Sequence, residues 1–293
     1  VTKSKRATGA DVAKVGPGKP PVRKRFGQHF LEAAWVAKVV AAIAPRPDEL
    51  FVEIGGGRGE LTRPLAKTGA RVVAVEVDRA LAAALAASMP ATVQVVTGDI
   101  LDQDLAGLVA AVEGPPARRV RLVGNIPYNI SAPILRMLVD TQSQVGCFAD
   151  ATLMVQREVA DRIAGRPGSR DYGPLAVLVQ LVAEAERILT LPPGAFRPPP
   201  KVRSAVVRLT FRPPPVPINH PELFEQMVRS LFTQRRKTVL NAVASITHAV
   251  SSLAPRVVLE RAGVPPDRRP ATLDLADLAR LSEVLAGARP VLK

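Results

Sequence analysis

A single cysteine, Cys147, rules out an internal disulfide and a thiolate metal cluster, and it suits a reducing, cytoplasmic setting. Three scattered histidines, His29, His220 and His248, leave little material for a zinc site, so no metal is expected. Aromatic residues make up only 4% of the chain, too few for a single-strand binder built on many stacking platforms. No uncharged apolar run reaches the roughly 18 residues that a membrane helix needs, so no membrane partner is expected. The basic N-terminal stretch has no apolar segment behind it, unlike a secretory signal. Acidic residues are scarce too. The 26 Asp and Glu stand against 40 Lys and Arg, and a formal charge of +14 favours a polyanionic partner such as nucleic acid.

With 293 residues and 47% apolar composition, the chain has material for one large domain and a small one. Residues 1–25 carry many Lys and Arg against Asp11 alone and read as a disordered basic arm. Order is expected from Phe26, leading into a helix through Trp35, Val36, Val39, Val40 and Ile43 that Pro45 and Pro47 end. A βαβ rhythm follows, with apolar β-branched runs at 50–54, 71–77, 93–96 and 120–123 and helices at 60–68 and 80–87. Later strands are expected at 151–156, 187–191 and 204–211, with a helix at 175–183; the last two strands lie close enough to pair antiparallel. This alternation predicts an α/β fold, an open parallel sheet covered on both faces, over residues 26–212. Residues 213–217 form a proline-rich linker. Beyond it, 218–293 read as a small all-α domain with helices at 223–231, 237–245, 255–262 and 275–286.

Four elements placed after apolar runs carry the chemistry. The loop Glu53-Ile54-Gly55-Gly56-Gly57-Arg58-Gly59 falls between strand and helix, where its amides can face a ligand at the helix N-terminus. A dinucleotide site wants a third glycine at position 60, where Glu60 stands. The G-x-G-x-G spacing suits S-adenosylmethionine, which has no pyrophosphate; a ligand-free tight turn would read the same way. Glu76 stands near the end of the second strand, where a carboxylate can accept two ribose hydroxyls. Asp99 ends the third strand and can accept an adenine amino group. Either could equally be a solvated loop acid. Asn125-Ile126-Pro127-Tyr128 ends the fourth strand. The Asn125 oxygen and the Ile126 carbonyl can accept the two N–H bonds of an aromatic amine, whose lone pair is otherwise delocalised into its ring. Pro127 stiffens the turn, and Tyr128 can stack on the base. Phe196, in a proline-held loop, is a candidate opposite wall or else a core anchor. Arg235, Arg236 and Lys237, which begin a helix, and Arg157 with Arg162, Arg166 and Arg170 around a Gly/Pro loop, are candidate phosphate contacts or a solvated face.

Several segments then match one family. Residues 25–31 (RFGQHFL), 53–59, 125–131 (NIPYNIS), 154–160 (MVQREVA), 171–173 (DYG), 196–207 (FRPPPKVRSAVV) and 232–241 (FTQRRKTVLN) resemble the small-subunit rRNA adenine dimethyltransferases, the KsgA/RsmA family. The resemblance runs from about residue 23 to the C-terminus. It implies a Rossmann-like methyltransferase domain, a helical C-terminal rRNA-binding domain, and a monomer acting on 16S rRNA within the 30S subunit or its precursor. The implied reaction uses S-adenosylmethionine to dimethylate N6 of two adjacent adenosines in a hairpin loop near the 3′ end. Carried over, His29, Leu31, Gly55, Gly57, Glu76, Asp99, Ile100 and Asn125 would contact the cofactor. Tyr128 and Phe196 would sandwich the target base. His29 stands where many members have Asn. A macrolide-resistance enzyme acting on 23S rRNA is the sister reading, which residues 232–241 disfavour. A ribosome-assembly factor acting mainly by binding the immature subunit is the alternative from another class.

Overall fold

A computed structural model describes residues 28–112, 119–250 and 253–288. The expected basic arm, residues 1–25, lies outside the described residues. The short strand β1 (Phe30–Leu31) and helix α1 (Ala33–Ile43) come first. The core then alternates β2 (Leu50–Ile54), α2 (Thr62–Lys67), β3 (Arg71–Glu76), α3 (Arg79–Ser88), β4 (Val93–Thr97), α4 (Leu105–Val112), β5 (Val120–Asn125), α5 (Ser131–Val145) and β6 (Phe148–Gln156). Next come α6 (Arg157–Ile163), α7 (Pro174–Val182), β7 (Ala183–Leu191), β8 (Phe196–Arg197) and β9 (Ser204–Phe211). Four helices follow: α8 (Pro221–Thr233), α9 (Val239–Val250), α10 (Pro255–Ala262) and α11 (Leu275–Gly287).

Seven strands form one sheet in the order β4-β3-β2-β5-β6-β9-β7. β4, β3, β2, β5 and β6 pair in parallel, as the βαβ rhythm predicts. β9 runs antiparallel to both neighbours, and it pairs with β7 as the closeness of their sequences suggested. The chain order reverses at β2, between β3 and β5, which opens a crevice at the carboxyl ends of those strands. Alternation within each strand sends Val52, Ile54, Val73 and Val75 into one core and Phe51, Val72 and Val123 into the other, so both faces are covered. A third core joins α8–α11 to Tyr172, Ala176 and Val177, so the helical part is packed onto α7. Among the described residues no helix is long and apolar enough to cross a membrane.

Two local expectations change. α4, α5 and α6 were not legible in the sequence: α5 carries Pro133 in its first turn and ends in a polar Thr-Gln-Ser-Gln run, while α6 is short and mostly charged. The Arg235-Arg236-Lys237 run lies in the turn before α9, two residues short of the helix start, because Gln234 and Lys237 N–H close turns on Leu231 and Gln234 carbonyls.

At the amino ends of the strands, Arg121 gathers the sheet and α1. Its guanidinium donates to Asp150 at 2.9 Å, Glu49 at 2.8 Å and the Ile43 carbonyl at 2.8 Å, and lies over the Phe51 ring. Removing one member of such a half-buried cluster leaves two carboxylates without their cation. Arg121→Met is expected to cost roughly 2–3 kcal/mol, read from urea unfolding; a loss within error of zero would show the cluster to be decorative.

Candidate active site

The crevice at the carboxyl ends of β2, β3, β4 and β5 holds two adjoining cavities. One, about 90 Å³, is lined by His29, Leu31, Gly55, Gly57, Glu76, Asn125, Tyr128 and their neighbours. The other, about 180 Å³, is lined by Gly98, Asp99, Ile100 and Ile130 among others. Gly55, Val77 and Pro127 belong to both. Every residue expected to touch a cofactor therefore faces one continuous depression.

The glycine loop works differently from the sequence expectation. Gly55 and Gly56 N–H both donate to the Val75 carbonyl, and Gly57 N–H donates to Glu76 Oε2 at 2.8 Å. Those amides are spent inside the protein and do not form an open anion cradle, which disfavours a pyrophosphate and suits a cofactor lacking one. Gly57 needs its glycine for its backbone, since its φ is +55°; a Cβ there would meet the Phe30 ring only at ordinary contact distance. Arg58 lies 4.0 Å over that same ring and clamps the loop to β1.

Glu76 is 5% exposed and accepts from Gly57 N–H on one oxygen and Asp78 N–H, at 2.9 Å, on the other. Each oxygen keeps a lone pair for a diol. Asp99 accepts Leu101 N–H at 3.0 Å and caps the short turn that carries the buried Ile100. Apolar walls, a diol acceptor and a second acid at the adjacent strand end fit S-adenosylmethionine: Glu76 would hold the ribose, and Asp99 and Ile100 the adenine.

Asn125 ends β5 beside Met154 of β6, and its Nδ2 donates to the His29 carbonyl at 2.6 Å. A carbonyl only accepts, so the amide nitrogen must face it, and Oδ1 is left as an acceptor in the cavity. Ile126 is buried and its N–H donates to the Met154 carbonyl, which fixes the tetrapeptide on the sheet edge. Pro127 accepts Ile130 N–H and opens a tight turn. The Tyr128 hydroxyl bonds the Ser204 hydroxyl, and burial raises the phenol above its usual range. The His29 imidazole stacks against the Tyr128 ring, 5.7 Å between centroids and 23° between planes.

Phe196 is elsewhere. It is fully buried in the core beneath β1, paired in register with Leu31, and does not line the cavity. The basic segments come together: Arg235 Nη2 donates to the Ser169 carbonyl at 2.9 Å, joining the 235–237 turn to the loop of Arg166 and Arg170. Arg157 N–H donates to the Arg203 carbonyl, and both line a shallow cavity of about 310 Å³ with Asp171.

Glu53 was not singled out by sequence, although a lone acid inside an apolar strand is a signal. It is 2% exposed, lines the cavity and accepts the Thr62 hydroxyl at 2.6 Å. Burial chiefly pushes its carboxyl from 4.5 to about 8; Glu60 and Glu76 add to the rise and the Thr62 hydroxyl opposes it. Glu60 and Glu76 are raised as well, first by burial. The folded protein thus keeps a proton that the unfolded chain releases above 4.5, so stability falls as pH rises from 4.5 towards about 8. Glu53→Gln is expected to flatten that fall. Thermal unfolding across this range checks it, and parallel curves for the two proteins would refute the buried proton.

The chain is similar to known proteins along most of its length. Residues 21–280 match the family model for ribosomal RNA adenine dimethylase. Ribosomal RNA small subunit methyltransferase A of Xanthomonas campestris is 42% identical over 268 residues, covering 90% of this chain and 96% of that protein. The same-named protein of Xanthomonas axonopodis is also 42% identical, with the same coverage. Among solved structures, a dimethyladenosine transferase from Plasmodium falciparum shares the fold, with a TM-score of 0.70 at 23% identity over 86% of this chain and 96% of that one. The 23S rRNA methyltransferase ErmE gives 0.63 at 27% identity over 87% and 99%. The chain belongs to the ribosomal RNA adenine dimethylase family and is an S-adenosylmethionine-dependent methyltransferase of ribosomal RNA.

Proposed function

We propose that this protein dimethylates N6 of two adjacent adenosines in the hairpin loop near the 3′ end of 16S rRNA, acting as a monomer on the 30S subunit or its precursor. The observation that carries the chemistry is the Asn125 amide, turned by the His29 carbonyl so that Oδ1 remains as an acceptor. When bound, the cofactor supplies an electrophilic methyl. Asn125 Oδ1 accepts one N–H of the target amine and draws its lone pair out of conjugation with the ring; the Ile126 carbonyl is the natural acceptor for the other. Tyr128, fixed by Ser204, gives the base a flat surface. Positioning and electrostatics carry the acceleration.

The exposed Arg236, Lys237, Arg166, Arg170 and Arg203 support the RNA reading. Arg203 adjoins Ser204, which bonds Tyr128, and Arg235 joins the turn of Arg236 and Lys237 to the loop of Arg166 and Arg170; phosphates would lie along these cations. The 42% identity to small-subunit methyltransferases, against 27% to ErmE, favours the small subunit as target.

Methyl transfer from labelled cofactor to 30S subunits lacking the modification, with 50S subunits alongside, tests the proposal. N6-dimethyladenosine from the 30S sample alone is expected; label confined to 50S would move the target to 23S rRNA, and tight 30S binding without label would favour an assembly role. Asn125→Ala is expected to lower turnover by roughly a hundredfold or more, far more than it weakens cofactor binding. Glu76→Ala should do the reverse, weakening cofactor binding by about tenfold. Replacing Arg236 and Lys237 by Ala should lower the salt-dependence slope of RNA binding by about 1 each; an unchanged slope would move the phosphate contacts elsewhere.

A further inference from the structure

We propose that the seam between the sheet and the helical part holds a second binding site, for a small organic acid with an apolar body and one anionic group. The site is a cavity of about 680 Å³ bounded by α5, α7, α8 and the proline-rich segment that joins β9 to α8. Pockets that take small organic ligands run to roughly 300–1,000 Å³. Arg119, just before β5, and Gly146, shortly before β6, both line it, so it lies at the amino ends of the parallel strands. The cofactor crevice is at the opposite edge of the sheet. None of the residues assigned above to cofactor, target base or RNA lines this cavity.

Its walls are tied to the fold on every side. Val139, Leu178, Leu181, Ile218 and Phe224 supply the apolar lining, and Pro213, Pro214 and Pro217, each with a fixed φ, stiffen one flank. Arg136 on α5 pairs with Glu225 on α8 across the seam. Arg212 Nη2 donates to the Gln180 carbonyl of α7 at 3.0 Å, and Phe148 N–H donates to Gln142 Oε1 at 3.0 Å. A site formed in advance spares a ligand the cost of ordering it. The charge balance then selects the ligand. Both acids of the lining already have cations: Asp140 has Arg136 at 2.7 Å, and Glu225 has Arg136 and, at 2.5 Å, Arg229. A cationic ligand would have to displace an arginine. Arg119 is exposed and has no ion pair among the described residues, and Arg212 has only Glu184 at 3.9 Å, a side chain 79% exposed. Because β5, β6 and β9 are neighbours in the sheet, the two arginines stand two strand spacings apart, roughly 10 Å, with β6 between them. One carboxylate or sulfonate can be shared by two such guanidinium groups. A polyphosphate would leave its remaining charges against apolar walls.

Fluorescence titration with anilinonaphthalene sulfonate, an aromatic anion, and with phenylnaphthylamine, its uncharged counterpart, tests the site. Saturable binding of one sulfonate per chain is expected, unaffected by S-adenosylhomocysteine and roughly tenfold tighter than binding of the uncharged probe. Leu178→Trp, which fills the cavity, should abolish binding of both probes while S-adenosylmethionine affinity stays at the parent value. Arg119→Ala, at an exposed position that leaves the fold alone, should weaken the sulfonate by roughly three- to tenfold and leave the uncharged probe as it was. Displacement of the probe by S-adenosylhomocysteine would put it in the cofactor crevice and overturn the proposal. Non-saturable binding would do the same, as would a Leu178→Trp variant with parent affinity for both probes. Equal affinities for the two probes, or an Arg119→Ala variant as tight as the parent for the sulfonate, would overturn the assignment of an anionic ligand.

Discussion

The structure depends on how closely β2 and β5 run together at their carboxyl ends. Their register ends with Ile54 opposite Gly124, where a Cβ would stand 2.7 Å from the Ile54 carbonyl. Only glycine permits that approach without moving a backbone. Because it holds, the loop after β2 and the tetrapeptide after β5 emerge side by side. Gly55 and Asn125, proposed to serve the cofactor and the target amine, are then neighbours, although some 70 residues separate them in the chain. The reversal of strand order at β2 supplies the crevice, and Gly124 sets its width.

Much of the fold was legible because its signals are local. The β-branched runs at β2, β3 and β5 gave strands at their observed places, and the glycines and acids at their ends line the cavities at the carboxyl edge of the sheet. What escaped depends on long-range contact. The use of the Gly55, Gly56 and Gly57 amides by Val75 and Glu76 is fixed by strand pairing, and no spacing rule contains it. Phe196 illustrates the same limit: a phenylalanine before a proline cluster looks like an exposed platform until its pairing with Leu31 places it in the core. Glu53 is the reverse case, an acid whose burial only the packing of α2 on the sheet explains.

Electrostatics divides the molecule by depth. The cavity floor carries Glu53, Glu60 and Glu76, all with raised carboxyls, in a chain that is otherwise strongly basic. The cationic side chains stand outside, at Arg157 just after β6, at Arg203 just before β9, and on the turns at Arg166 and Arg236. A basic rim suits a polyphosphate. Burial favours the protonated form of the floor carboxyls, so the floor offers polar hydrogen-bonding groups more than negative charge.

The antiparallel strand β9 has a consequence in time as well as in space. It brings Ser204 back to the end of the sheet where Tyr128 waits, and just before it β8 pairs with β1, the first strand in the described chain. The pocket is thus assembled from sequence positions near 30, 55, 76, 125 and 200. A chain emerging from its amino end has Glu76 and Asn125 long before it has Ser204, whose hydroxyl anchors the Tyr128 ring. Completion of the active centre is postponed until nearly the whole sheet has been made. The last strand of the sheet in chain order is the one whose Ser204 anchors Tyr128 at the mouth of the cleft.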